Sequence, residues 1–263
     1  YEILIGLVGS EMCIRDRVAG IGIGVPGPVN DKGVVLKAVN LGWDIMDVKE
    51  ILGGLTGLAV QAGNDANVAA LGEMWRGGGQ GFENMVLVTL GTGVGGGVIL
   101  GGKILTGATG AAGEIGHIHI EDKEGDACGC GNHGCLEQYA SATGIVRLAK
   151  RRLEADTKDS VLRQGEVSAK TVFDAVKAGD EVACEIAEQF GQYLGKGLAA
   201  IAAVVNPEAF VIGGGVSKAG DILCQYITKY YEKYAFHGCM NAQFKLATLG
   251  NDAGIYGAAK LVL

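Results

Sequence analysis

Three of the chain's seven cysteines and three of its four histidines fall within residues 113–139. Cys128, Cys130 and Cys135 lie within one span of eight residues, separated mainly by Gly129, Gly131, Asn132 and Gly134. Glycine and asparagine tolerate positive φ, so such a segment can coil tightly enough to bring three sulfurs to one point. With a histidine added, the set has the Cys₃His composition of a closed structural zinc site. His117 is the expected fourth ligand, with His119 and His133 as rivals. Two carboxylates frame the knot: Glu114 stands three residues before His117, and Glu137 two after Cys135. A rigid metal loop with an acid on each side can aim both acids at a polar ligand.

The rest of the chain reads as strands and helices in alternation. Residues 18–25 alternate as a buried strand that ends at Pro26-Gly27-Pro28, an extended turn of the kind α/β proteins place beside ligands. Strands are also expected over 34–39, 58–62, 85–90, 209–212 and 243–249. Helices are expected over 47–52, 66–75, 140–155, 167–178, 181–205, 219–234 and 252–262, from apolar residues at helical spacing. Asn64 or Asp65 is placed to cap the helix that follows. Gly77-Gly78-Gly79 breaks the chain and sets the expected boundary between two lobes, 1–78 and 79–250, with the C-terminal helix 251–263 returned to the first. Residues 7–17 show neither period.

Two glycine-rich turns follow apolar strands: Gly91-Thr92-Gly93-Val94-Gly95-Gly96-Gly97 and Gly213-Gly214-Gly215-Val216-Ser217. Backbone amides without a Cβ in the way can wrap phosphate oxygens. Neither turn is a Walker loop, because no Gly-Lys-Thr/Ser follows. A net charge of −7 argues against a nucleic-acid surface. The longest apolar run, 198–205, is far short of a membrane span and ends at Asn206-Pro207. The cysteines do not suggest disulfides, and Cys184 and Cys224 read as buried thiols on helix faces, so a reducing cytoplasm is expected.

The run Gly113-Glu114-Ile115-Gly116-His117, followed by Cys128-Gly-Cys130-Gly-Asn-His-Gly-Cys135-Leu-Glu137, resembles the signature of the ROK family of repressors and sugar kinases. Asn64-Asp65-Ala66-Asn67-Val-Ala-Ala-Leu-Gly-Glu73 resembles that family's catalytic motif, and the similarity is expected from about residue 18 onward. The resemblance implies an α/β, two-lobed actin/hexokinase-like (ribonuclease H-like) ATPase fold with an incomplete first lobe. It implies transfer of phosphate from ATP, carried with Mg²⁺, to a hexose. Asn40-Leu-Gly-Trp43 and residues 140–146 resemble the branch that phosphorylates glucose at its 6-hydroxyl. N-acetylmannosamine, N-acetylglucosamine and fructose are alternatives, as is a sugar-sensing repressor.

Carried onto this chain, the resemblance makes Asp65 the general base. The sugar contacts become Asn64, Asp65, Glu114, His117 and Glu137, with Gly27 and Asn40 beside them. Thr92 and Gly93 would meet the γ-phosphoryl group, and Gly213, Gly214 and Gly215 the adenosine. His117 would hold zinc, with Cys128, Cys130 and Cys135, through one ring nitrogen and face the sugar with the other. A homodimer is implied as well. The family's opening Asp-x-Gly-Gly-Thr turn has no counterpart here, so the chain as written is expected to be a poor kinase.

Overall fold

In the computed structural model, residues 18–30, 32–38 and 41–263 are described, together with the backbone of Leu4–Leu7. The chain divides into two compact units. The first comprises residues 1–87, 96–113 and 247–263, and the second residues 88–95 and 114–246. This differs from the expected boundary, because residues 96–113 join the first unit.

The first unit starts with β1 (Leu4–Leu7) and β2 (Ile21–Val25), then β3 (Val34–Val35), β4 (Met46–Asp47), α1 (Val48–Thr56), β5 (Val60–Asn64) and α2 (Asp65–Arg76). β1, β2 and β5 form one sheet, β1 antiparallel and β5 parallel to β2. The strand expected over 34–39 closes after Val35, where Leu36 and Ala38 turn their amides to Pro28 and Trp43. In the β2–β5 register Val25 pairs with Asn64. The Pro26-Gly27 turn and the start of α2 therefore lie at the same carboxyl end of the sheet, the end where such folds bind ligands. Ile23, Val25, Val29, Val35, Ala38 and Val48 form the core beneath it.

β6 (Met85–Leu90), β7 (Val94–Leu100) and β8 (Lys103–Ile104) follow, residues 88–95 of β6 and β7 counting with the second unit, and α8 (Ala253–Leu261) completes the first unit at the C-terminus. A Cβ on Gly257 would lie 1.7 Å from the Val68 carbonyl, and one on Gly22 1.7 Å from that of Ala258. The expected return of the C-terminal helix thus works through bare backbone: α8 touches α2 and β2 where no side chain could fit. Gly97 is likewise pressed on α2, 2.6 Å from Ala70 Cβ were it to carry a side chain, which draws the hairpin into this unit. Glu73 is 1% exposed and accepts backbone amides from Gly78 (2.8 Å), Thr248 (3.1 Å) and Leu249 (2.9 Å). One buried carboxylate so fixes both the Gly77-Gly78-Gly79 break and the point where the chain re-enters the unit.

The second unit holds α3 (Glu137–Ala140), α4 (Ala142–Ala155), α5 (Ala169–Lys177), α6 (Glu181–Val205), β9 (Ala209–Gly213), α7 (Asp221–Tyr234) and β10 (Gln243–Leu246). The five-stranded sheet runs β10-β9-β6-β7-β8, with β9 and β10 parallel. α6 buries Val182, Ile186, Phe190, Leu194 and Leu198 at helical spacing. It stops at Asn206, whose φ of 43° is left-handed, just before Pro207. Phe173 meets Phe190 edge-on at 5.8 Å, and truncating Phe190 to Ala should cost about 3–5 kcal/mol. Cys184 and Cys224 are half-buried rather than buried, while Cys239 is buried. Among the described residues no helix is long and apolar enough to cross a membrane.

Candidate active site and metal centre

In the first unit the expected site residues gather at the start of α2. Asn64 is the N-cap: its side-chain oxygen accepts from the Ala66 and Asn67 amides (3.0 and 3.2 Å), and its Nδ2 donates to the Gly27 carbonyl (3.1 Å). The cap thus ties the Pro-Gly turn to the helix. Asp65 is the first helical residue, with Oδ1 accepting from the Ala66 amide at 2.8 Å. Burial pushes its carboxyl above the ordinary aspartate range, partly offset by backbone hydrogen bonds. A carboxylate so placed has gained basicity while keeping one fixed orientation. Asn40 lies outside the described residues.

In the second unit the cysteine loop closes as its spacing predicts. The ligand atoms of His117, Cys128, Cys130 and Cys135 all lie within 4.8 Å of one another. Cys130 and Cys135 sulfurs are 3.6 Å apart, and Cys128 Sγ is 3.8 Å from His117 Nδ1. Bonds of about 2.3 Å at tetrahedral angles place ligand atoms about 3.7 Å apart, so this donor set fits zinc. Burial raises the Cys128 and Cys135 thiols, whereas the Asn132 backbone amide lowers that of Cys130. His119 is not in the cluster. Its ring nitrogens are taken by the His133 carbonyl (2.9 Å) and Asp122 (2.8 Å). His133, the other rival, is not in the cluster either.

Glu137 opens α3 beside this knot. Cys128 Sγ donates to its Oε1 at 2.9 Å, and His117 Nδ1 lies 3.7 Å from the same oxygen. Glu114 comes within 4.0 Å of His117 Nε2 and is largely exposed. The first glycine turn abuts these groups. A Cβ on Gly93 would lie 2.6 Å from Glu137 Oε2, and one on Gly116 2.2 Å from the Val94 carbonyl. The second glycine turn meets the first from behind: Gly214 has φ +83°, and a Cβ there would lie 2.5 Å from the Leu90 carbonyl. Glycine at 214 satisfies both the left-handed backbone and the close approach. The two turns, 124 residues apart in sequence (from Gly91 to Gly215), thus share one backbone junction.

Sequence reasoning missed a polar cluster centred on Glu124. The Glu124 side chain is 1% exposed and takes both Arg147 (2.5 Å) and Arg151 (3.1 and 3.2 Å), with Tyr139 OH donating to Oε2. Burial alone would raise its carboxyl, but Arg151, Tyr139 and the Asp126 amide outweigh it and bring it to about 2. Tyr139 in turn stacks on Tyr193 at 4.0 Å. Thr143, one turn before Arg147, donates to the Thr92 carbonyl at 2.6 Å and holds the first glycine turn to α4. The i, i+4 spacing of Thr143, Arg147 and Arg151 on one helix face was the available signal.

Glycine turns at the carboxyl ends of β6 and β9, and a terminal helix returned to the first unit, define an actin/hexokinase-like α/β protein. Residues 6–263 match the model of the ROK family, and the chain belongs to that family. The match begins twelve residues before the expected start at 18, in keeping with a strand, β1, paired to β2. The chain is 48% identical over 255 residues to a glucokinase of Halalkalibacterium halodurans, covering 94% of this chain and 77% of that protein. It is 30% identical over 251 residues to a xylose repressor of Caldicellulosiruptor bescii, covering 94% of this chain and 63% of that one. Among solved structures it resembles a ROK family glucokinase from Streptomyces griseus in complex with glucose and AMPPNP. That match has a TM-score of 0.76, 34% identity and 99% coverage of both chains.

Proposed function

We propose that the protein is an ATP-dependent hexose kinase that phosphorylates glucose at its 6-hydroxyl. The observation that carries the reading is the close approach of Glu137, the carboxylate assigned here to the sugar, to Gly93 in the glycine turn assigned here to phosphate. The likeness to glucokinases, one of them with glucose and AMPPNP bound, supports glucose and ATP as the substrate pair.

In this reading Asp65 takes the proton as the 6-hydroxyl oxygen attacks the γ-phosphorus, and ADP departs with the electron pair of the broken P–O bond. Phosphoryl transfer asks mainly for positioning and charge neutralisation, and its raised carboxyl pKa makes Asp65 a better proton acceptor than an exposed aspartate. By family resemblance, Asn64, Gly27 and Asn40 are sugar contacts, as are Glu114, His117 and Glu137. Thr92 and Gly93 cradle the γ-phosphoryl group, and Gly213, Gly214 and Gly215 lie against the adenosine. A cavity of about 160 Å³ lined by Phe173, Gly215 and Val216 is of a kind suited to the base. Zinc held by His117, Cys128, Cys130 and Cys135 would fix the loop that carries His117 and abuts Glu137, while Mg²⁺ arriving with ATP would neutralise phosphate charge.

Free thiols among the described residues fit a reducing cytoplasm, and family resemblance implies a homodimer, which light scattering would test. A sugar-responsive repressor is the second reading, favoured by the likeness to a xylose repressor. Coupled ADP release with glucose, fructose, N-acetylglucosamine and N-acetylmannosamine tests the assignment. Glucose should give the highest kcat/KM. A preference for an N-acetylhexosamine would move the substrate, and DNA retention on a mobility gel would favour the repressor.

A further inference from the structure

Three cavities of the second unit share walls. The first, about 530 Å³, is lined by Thr92, Gly93, Glu137, Thr143 and Arg147. The second, about 600 Å³, shares Asp126, Thr143 and Arg147 with it and reaches Ala169. The third begins at Ala169 and ends on the Gly215-Val216 turn. The three cavities share lining residues in series between the two glycine turns, and Arg147 lines the first two. We propose that Arg147 is a direct ligand of the nucleotide's phosphates, an inference that rests on the kinase reading above.

The first glycine turn brings no lysine, so its backbone amides supply hydrogen bonds without a full positive charge, whereas Lys218 beside the second turn lines the third cavity. Among the described residues Arg147 is the single cation lining the first cavity, which Asp126 and Glu137 also line. Its side chain is 22% exposed, and its guanidinium faces the Tyr139 ring at 5.8 Å. Its ion pairs to Glu124 (2.5 Å) and Asp126 (2.6 Å) both run through Nη2. Among the described residues no hydrogen bond engages Nη1 or Nε, the other edges of the fork. A planar fork anchored at one nitrogen and open at the others is pre-organised for two-point contact with a phosphate. Two guanidiniums, Arg147 and Arg151, face two carboxylates, so the cluster is nearly neutral. The expected gain therefore comes from oriented hydrogen bonds more than from a strong positive field.

Arg151 makes a discriminating control, since it binds the same Glu124 but lines only the second cavity. Binding of AMPPNP with Mg²⁺, and separately of adenosine, would be measured on the whole protein and on Arg147→Met, Arg147→Lys and Arg151→Met. Loss of a charge-assisted contact should weaken AMPPNP about 10- to 100-fold in Arg147→Met. Adenosine should bind unchanged, Arg147→Lys should recover part of the loss, and Arg151→Met should stay within about threefold of wild type. Unchanged AMPPNP affinity in Arg147→Met would overturn the proposal. So would equal losses for Arg147→Met and Arg151→Met with adenosine weakened alike, because that pattern reports a structural cluster. Wild-type protein that binds AMPPNP with this Arg147 dependence yet binds no hexose would sink the kinase reading and leave Arg147 standing.

Discussion

The Asn64–Asp65 corner and the Cys₃His knot hold their carboxylates by opposite means. At the corner, one sheet register and one helix cap fix Asp65: Val25 pairs with Asn64, Asn64 spans from Gly27 to the α2 amides, and Asp65 accepts from Ala66. All those bonds are part of ordinary folding. At the knot, Glu137 leans on Cys128 and His117, themselves atoms of a ligand set that a cation would draw together. One acid is organised by backbone and the other by a loop whose donor set fits a metal, so the two should fail under different treatments.

The largest expected effect belongs to the corner. Asp65→Asn keeps the shape and the acceptor for the Ala66 amide but cannot take a proton, so kcat should fall about 10²–10⁴-fold in steady-state assays. Near-normal turnover would reduce Asp65 to a helix-start residue. Next comes the knot. Stripping zinc with a chelator, or Cys130→Ala, should weaken glucose binding about 10- to 100-fold through loss of oriented contacts from His117 and Glu137. The nucleotide should be affected less. Elemental analysis that finds no zinc in protein with intact sugar binding would remove the metal from the account.

Smaller effects sharpen the contrast. Asn64→Ala deletes the cap and its link to Gly27 and should destabilise the protein by about 0.5–2 kcal/mol, measured by denaturant unfolding. The same substitution should leave zinc content unchanged. The last effect concerns pH. The Asp65 carboxyl titrates above its unfolded value, so its protonated form favours the folded state and that contribution is lost as pH rises through the folded pKa. Asp65→Asn should therefore melt slightly higher than wild type at neutral pH, with the difference shrinking below the ordinary aspartate range. A variant less stable at neutral pH would contradict the desolvated carboxylate.

Legibility in the sequence followed the range of the interactions. The knot could be read because its cysteines sit within eight residues and the glycines between them announce the coil. The Asn64–Asp65 cap is a one-turn device of the same kind. α6 matched its expected span of 181–205 because its apolar spacing persists over 25 residues. Glu124 could not be read, because its value comes from Arg151, 27 residues on, and from burial that only packing creates. The division into units was hidden for a similar reason. The hairpin joins the first unit through Gly97 against Ala70, a contact with no local signature.

The most direct measurement is calorimetric titration of glucose into three samples: intact protein, zinc-stripped protein and Asp65→Asn. The account predicts that Asp65→Asn binds glucose within a few-fold of the intact protein while failing to turn over, and that the stripped protein binds at least about 10-fold more weakly. Stripped protein that binds glucose as tightly as intact protein, or Asp65→Asn that loses binding together with turnover, would contradict it.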